Sequence, residues 1–565
     1  MNQCALYHMP DSNYCFATGK KEIVIRLRAS EEDKDIKIFL VYGPKYEYQV
    51  RQYETRMYPC CEDGTYQYFE KKLSLKDVRL AYIFRIEDNG KKYYFSEDGV
   101  TESYSFADSF YNFFQVPYIN ENDRIKTVDW MRNAVFYQVF IDRFNRGDDR
   151  KDLAYINMKW GERPTPKSFA GGDLRGIIDK LDYIAELGVN ALYLTPIFRS
   201  ISNHKYDIMD YRTIDPMFGT KDDLKELVQK CHERGIRVVL DAVFNHCSML
   251  CKEFQDVMRK GLKSDYYEWF MINGDYPDPE KMNYECFAAC NYMPKFNTAV
   301  PAVQEYLTDI GLYWIREADI DGWRLDVSDE VSHDFWRKFR KAVKKEKPDC
   351  VIIGESWHDA SDFLRGDQFD SIMNYAFTKA CLDYFAHDNF NARQMSEKLN
   401  NILMRNTSPI NDMMLNLLDS HDTHRIYTET GKDKEKVLAA LALEAVFPGA
   451  MCIYYGTEIC MEGGYDPDSR RCFDWDEEDW DKDFMQRVRE ITGLKKERII
   501  QYGNTRIYSN QDNLIVERIL GKEKIVLTIN MTDEKFSVQK EAENEEKSFI
   551  TDPGMRHGIY NYGVQ

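Results

Sequence analysis

From about residue 127 the chain repeats one grammar: a short apolar strand, a polar loop, an amphipathic helix, then the next strand. That alternation constrains the fold more than any other feature, because parallel strands joined by helices must bury both faces of one sheet. The strands read as AVFYQVFI (134–141), NALYLTP, IRVVLDAVF, DGWRLDV, CVIIGES, MMLNLLD (413–419) and AMCIYY (450–455), in all about eight strand signals. Between them, LRGIIDKLDYIAEL (174–187) places Leu174, Ile177, Ile178, Leu181, Ile184 and Leu187 on one helical face, with Asp173 to cap its start and Gly188 its end. TKDDLKELVQKCHERG opens with a Thr220–Asp223 capping box and closes at Gly235. Further helices are expected around 302–318 and 334–345. Polar residues cluster at the carboxyl ends of many different strands, which favours a closed (β/α)₈ barrel over an open doubly wound sheet.

Both flanks read differently. Residues 1–125 carry short, mostly alternating runs such as KEIVIRLR, IKIFLVY, TYQYFE and LAYIFRI, with Asn89-Gly90 as a tight hairpin turn, and predict an N-terminal β-sandwich of carbohydrate-binding type. The tail from 503 to 565, with NLIVERIL and KIVLTIN, predicts a small C-terminal β-sandwich. The expected architecture is therefore multidomain: a catalytic barrel over 126–246 and 301–502, with an inserted domain at 247–300. A net charge of −19 and the lack of any basic run exclude nucleic acid as a partner. No apolar stretch approaches the roughly 20 residues that span a bilayer, so no membrane partner is expected. The amino terminus lacks a secretory pattern, and a cytoplasmic location with reduced thiols is expected.

Three strand ends deliver a carboxylate to one barrel rim: Asp326 in GWRLDVSDE, Glu355 in GESWHDA and Asp422 in LLDSHDTHR. A single acid after a strand is ordinarily a cap or a solvated loop residue. Three arriving together with Arg324, His246 and His421 point to chemistry. Cleavage of a glycosidic bond requires one carboxylate to attack or stabilise the anomeric carbon and one carboxyl to protonate the leaving oxygen. Arg324, two residues before Asp326, is expected to keep that acid ionised as the nucleophile, and a carboxylate neighbour to raise the pKa of the other.

These motifs resemble the α-amylase superfamily, and within it the neopullulanase, cyclomaltodextrinase and maltogenic amylase group. The resemblance spans nearly the whole chain and rests on DAVFNH (241–246), GWRLDVSDE, GESWHDA, LLDSHDTHR, MPKFN (293–297) and GYDPDSRR (464–471). It implies a retaining α-glucan hydrolase acting on α-1,4 bonds of cyclodextrins, pullulan and maltooligosaccharides through a covalent glucosyl intermediate. Asp326 would be the nucleophile, Glu355 the acid/base and Asp422 the acid that holds the distorted sugar. It further implies that Arg324, His246 and His421 contact sugar hydroxyls, with Tyr206 of NHKYD stacking on the ring and His204 beside it. Asp466 and Arg470 would meet the next donor-side sugar, and Phe287 and Trp357 the acceptor side. Ser356, Ser328, Asp329 and Tyr465 depart from the group's usual residues, which leaves acceptor and donor preference open. An α-glucanotransferase using the same intermediate is the alternative; a catalytically silent glucan-binding protein is disfavoured because all three acids are present. A homodimer is also implied.

The group's calcium pattern is matched in part. Asp148, Asp152, Gly171 and Asp173 are retained as candidate calcium ligands, but Arg146 and Lys151 stand where two oxygen-bearing ligands belong. Either these side chains swing away and backbone or Asn145 oxygens substitute, or their charges take the place of the ion; the second is favoured, and no cofactor is expected to be required. Cys247, Cys251, Cys286 and Cys290 form two C-x₃-C pairs whose spacing tetrahedral zinc would accept, against the plainer reading of four unrelated thiols. No nucleotide-binding loop is present.

Overall fold

The computed structural model describes residues 1–542 and 545–551. Two compact units emerge: residues 1–127 with 390–411 and 505–517, and residues 128–389 with 412–504 and 518 onward.

In the first unit, antiparallel strands wrap a core that includes Ile25, Leu27, Leu40, Phe69, Tyr82 and Phe84. The strand Tyr53–Glu62 pairs through its first half with Lys37–Pro44 and through its second half with Tyr66–Ser74. Its register slips between Pro59 and Cys61, where proline has no N–H to give the ladder. The Asn89-Gly90 turn joins Leu80–Asp88 to Lys91–Ser96 with positive φ at both residues (49° and 79°), as a primed hairpin turn requires.

The second unit is built on eight parallel strands: β1 Val135–Val139, β2 Ala191–Leu194, β3 Arg237–Ala242, β4 Gly322–Leu325, β5 Val351–Gly354, β6 Ser371–Ile372, β7 Leu415–Leu417 and β8 Ala450–Tyr454. Their order is β6-β5-β4-β3-β2-β1-β8-β7, and a parallel bridge from Met373 to Leu415 brings the two ends together. The sheet therefore curls into the expected barrel. β6 is only two residues long, too short for any periodicity to reveal it. The expected 174–187 helix is two helices, Leu174–Asp179 and Leu181–Glu186, because Lys180 adopts ψ 10° between them; its ammonium lies 3.8 Å from the Trp475 ring centroid. Asp173 caps the first by accepting from the Gly176 N–H, and Thr220 with Asp223 forms the capping box on Lys221–Glu233. Pro301–Ala318 and His333–Glu346 supply the two later helices. Near the carboxyl end, Glu523–Asn530, Lys535–Ala542 and Glu545–Thr551 pair in antiparallel order. Residues 543–544 and 552–565, within the expected C-terminal β domain, lie outside the described residues.

Strand register decides what reaches the barrel mouth. Asp241 on β3 and Arg324 on β4 are level, as are Leu325 on β4 and Gly354 on β5, so Asp326 and Glu355 emerge side by side just past their strand ends.

Candidate active site

A cavity of about 710 Å³ opens at the carboxyl ends of the strands. All three acids, Asp326, Glu355 and Asp422, line it. So do His204, Tyr206, His246 and Phe287 on one side, and Trp357, Asp466 and Arg470 on others. Arg324 and His421 are fully buried behind this lining and act through it.

Arg324 organises the acids. Its Nη1 donates to Asp326 Oδ1 at 2.9 Å and to Asp241 Oδ2 at 3.1 Å. Its Nη2 stands 2.8 Å from Glu355 Oε1, a close charge contact without hydrogen-bond alignment, so Nη2 is left without a hydrogen-bond partner. Val327, between Asp326 and the next turn, is held at φ 46°, a left-handed conformation costly for a β-branched residue. That twist aims the Val327 N–H at Glu355 Oε2, 2.9 Å away.

Electrostatics correct one sequence expectation. Arg324 does pull Asp326 down, but burial and the neighbouring Glu355 charge outweigh it, and the Asp326 carboxyl is pushed well above its usual range. Asp241 is likewise raised, to about 6, by burial, with Arg324 opposing.

A second network runs through His421. Gln138 Nε2 donates to His421 Nδ1 at 2.7 Å, which leaves the proton on Nε2. Nε2 lies 2.6 Å from the Tyr206 hydroxyl and 3.2 Å from Asp422 Oδ2, and Tyr206 in turn donates to Asp241 Oδ2 at 3.0 Å. Burial drives His421 well below the ordinary imidazole range and His246 down to about 3, so both rings are neutral at pH 7. His246 Nε2 has no hydrogen-bond partner, and its ring stacks on Phe287 at 4.9 Å. Arg470 fixes the far wall, 3.2 Å from Asp422 and 3.0 Å from Asp466. On the opposite side Trp357 stacks on Tyr375 at 3.7 Å while remaining 48% exposed.

The catalytic-domain model "Alpha amylase, catalytic domain" matches residues 138–498, and "Alpha amylase, N-terminal ig-like domain" matches residues 1–120. The chain belongs to the α-amylase family. It is 41% identical over 547 residues to a cyclomaltodextrinase of Geobacillus thermopakistaniensis, covering 95% of this chain and 92% of that one. It is 38% identical over 545 residues to neopullulanase 2 of Thermoactinomyces vulgaris, covering 94% and 92%. A solved cyclomaltodextrinase superposes with a TM-score of 0.89 at 38% identity, covering 94% and 91%. The protein is thus an α-amylase family glycoside hydrolase, as its motifs imply.

Sequence reasoning passed over three members of this α-amylase family site. Asp241 opens the DAVFNH motif, yet only its histidine was singled out. Gln138 was visible as one polar residue inside an apolar strand. Lys295 of MPKFN bridges Asn245 Oδ1 and Glu330 Oε2, at 2.6 Å each.

The candidate metal ligands do not gather. Among the described residues no group of three or more His, Cys, Asp or Glu side chains is placed to hold a metal ion. Asp148 accepts from Arg150 Nε at 2.9 Å, and Asp152 accepts from the Ala154 N–H at 2.9 Å. Only Gly171 and Asp173 converge, and they do so on the Lys151 ammonium. A hard cation needs six or more oxygens, so this donor set does not fit calcium. Cys247 and Cys251 are buried with their sulfurs 3.1 Å apart, whereas the Cys286 thiol is turned to the Tyr284 carbonyl and Cys290 lies on the cavity wall.

Proposed function

We propose that the chain hydrolyses α-1,4-glucosidic bonds of cyclodextrins, pullulan and maltooligosaccharides with retention of configuration. The observation that carries this is the single Arg324 guanidinium touching both Asp326 and Glu355. One guanidinium in contact with both carboxyls keeps the two acids close together, which supports direct carboxylate attack over attack by an interposed water. The reactive form is the one with Asp326 ionised and the proton on Glu355: Asp326 attacks the anomeric carbon while the Glu355 carboxyl gives its proton to the departing glycosidic oxygen, and the C1–O bond to the leaving sugar breaks as the bond to Asp326 forms. Glu355, now a carboxylate, takes a proton from water, whose oxygen displaces Asp326. Asp422 and the unpartnered His246 Nε2 offer hydrogen bonds to the sugar bound at the cleavage point, and His421, buried behind the lining, holds Tyr206 against it.

The same reading makes the protein a cytoplasmic homodimer. Support for the location alone comes from a relative: one 41% identical protein of Bacillus subtilis carries the name intracellular maltogenic amylase.

The test is product chromatography after parallel incubation with β-cyclodextrin, pullulan and soluble starch, with Glu355→Gln protein as the blank. Rapid ring opening with slow starch cleavage is the expected result. Starch consumed as fast as cyclodextrin would refute the narrow-substrate reading, and full turnover by the blank would refute the acid/base assignment.

A further inference from the structure

Where the family pattern would put a divalent cation, this chain puts a tethered one. We propose that the Lys151 ammonium is a built-in structural cation that takes the place of calcium, so that the loops it joins hold together without metal.

Lys151 Nζ lies 2.7 Å from the Gly171 carbonyl, 2.7 Å from Asp173 Oδ2 and 2.8 Å from the Met217 carbonyl. An ammonium has three protons to donate, and each finds an oxygen here. The side chain is 7% exposed and that of Asp173 is 1% exposed, so this is an interior ion pair with its remaining hydrogen-bonding capacity met. The rest of the Asp173 carboxylate is taken by the N–H groups of Gly147, Asp148 and Gly176.

The three oxygens come from two stretches of chain and the cation from a third. Lys151 follows β1; Gly171 and Asp173 sit before the Leu174–Asp179 helix; Met217 sits before the Lys221–Glu233 helix. One cation therefore ties together three loops on the carboxyl side of the barrel. A second buried lysine grips the last of them from its other face. Lys205 Nζ is 2.9 Å from Asp215 Oδ2 and 3.3 Å from the Met217 sulfur, and the next residue along is Tyr206 of the active site.

The site also excludes calcium. A divalent ion placed among these oxygens would sit within about 4 Å of a fixed positive charge in a poorly screened interior, where like charges repel strongly. Asp148 and Asp152, turned to Arg150 and Ala154, do not supply the missing oxygens.

Melting curves of the full chain test this without reference to turnover. After exhaustive dialysis against EDTA, the wild-type melting temperature is expected to be unchanged, and millimolar calcium chloride is expected not to shift it. Lys151→Met, which keeps the stem and removes the charge, leaves Asp173 buried and unpaired and is expected to melt about 5 °C lower. Calorimetric titration of the wild type with calcium is expected to show no binding, which holds as a test even if the variant fails to fold. Calcium binding to the wild type, a calcium-dependent melting temperature, or a Lys151→Met protein that melts with the wild type would each overturn the proposal.

Discussion

Arg324 Nη1 donates to Asp326 Oδ1 at 2.9 Å, and the two residues lie one step apart on the same side of a single strand end. The same guanidinium faces Asp241 and Glu355, so one planar cation sets the positions of three acids. Lysine carries equal charge but no fork. Arg324→Lys is expected to lower kcat/KM by at least about a hundredfold, because an ammonium cannot hold three carboxylates at fixed angles. Steady-state kinetics on β-cyclodextrin measure this; a change under threefold would contradict the arrangement.

On the proposed mechanism, Glu355→Gln removes the proton donor but not the nucleophile. Natural glucan substrates are expected to lose at least about a thousandfold in kcat. A maltosyl fluoride, whose leaving group needs no acid, is expected to retain rapid release of fluoride in the first turnover. Equal loss on both substrates would assign Glu355 another role.

Tyr206 donates to Asp241 and meets His421 Nε2 at 2.6 Å with the two rings within 2° of parallel. Tyr206→Phe keeps the ring and deletes both contacts, leaving Asp241 and His421 each one hydrogen bond short in a buried site. The expected cost is about 1–3 kcal/mol, or roughly tenfold to a hundredfold in kcat/KM. Kinetics of the variant, with its melting temperature as a control for folding, decide it.

Burial lowers His246 to about 3. The unfolded chain takes up that proton once the pH falls through about 6.5, while the native chain does not until about 3, so this residue's contribution to stability is present above pH 6.5 and is lost as pH falls toward 3. The slope for one such group is about 1.4 kcal/mol per pH unit. His246→Gln removes the titration. The stability advantage of the wild type over this variant is therefore expected to shrink between pH 6.5 and 4, as read from denaturant melts at several pH values. A constant difference would place a charged imidazole in the native site.

The barrel was legible because its strands are apolar runs separated by capped amphipathic helices, and the acids because each sits directly after such a run. Thr220, Asp223, Asp173 and the Asn89-Gly90 turn behave as local chemistry requires. What escaped were groups whose role is spatial. Asp241 and Gln138 look like ordinary strand residues until parallel register sets Asp241 level with Arg324 and lets Gln138 reach His421, 283 positions away. The helix break at Lys180 was hidden because its apolar face continues unbroken on both sides.

The sequence by itself determined the element order, the delivery of Asp326 and Glu355 to strand ends and the presence of the cations Arg146 and Lys151 within the expected calcium pattern. Only the tertiary structure decided which way the Asp326 carboxyl is pushed, since burial and the Glu355 charge override Arg324 in raising it. It also decided that Lys151 turns inward onto three oxygens instead of swinging away. The reason is the same in both cases. Residue identity fixes charge and hydrogen-bonding capacity, whereas the energy of a charge depends on how much water the fold removes and which distant groups it brings within a few ångströms.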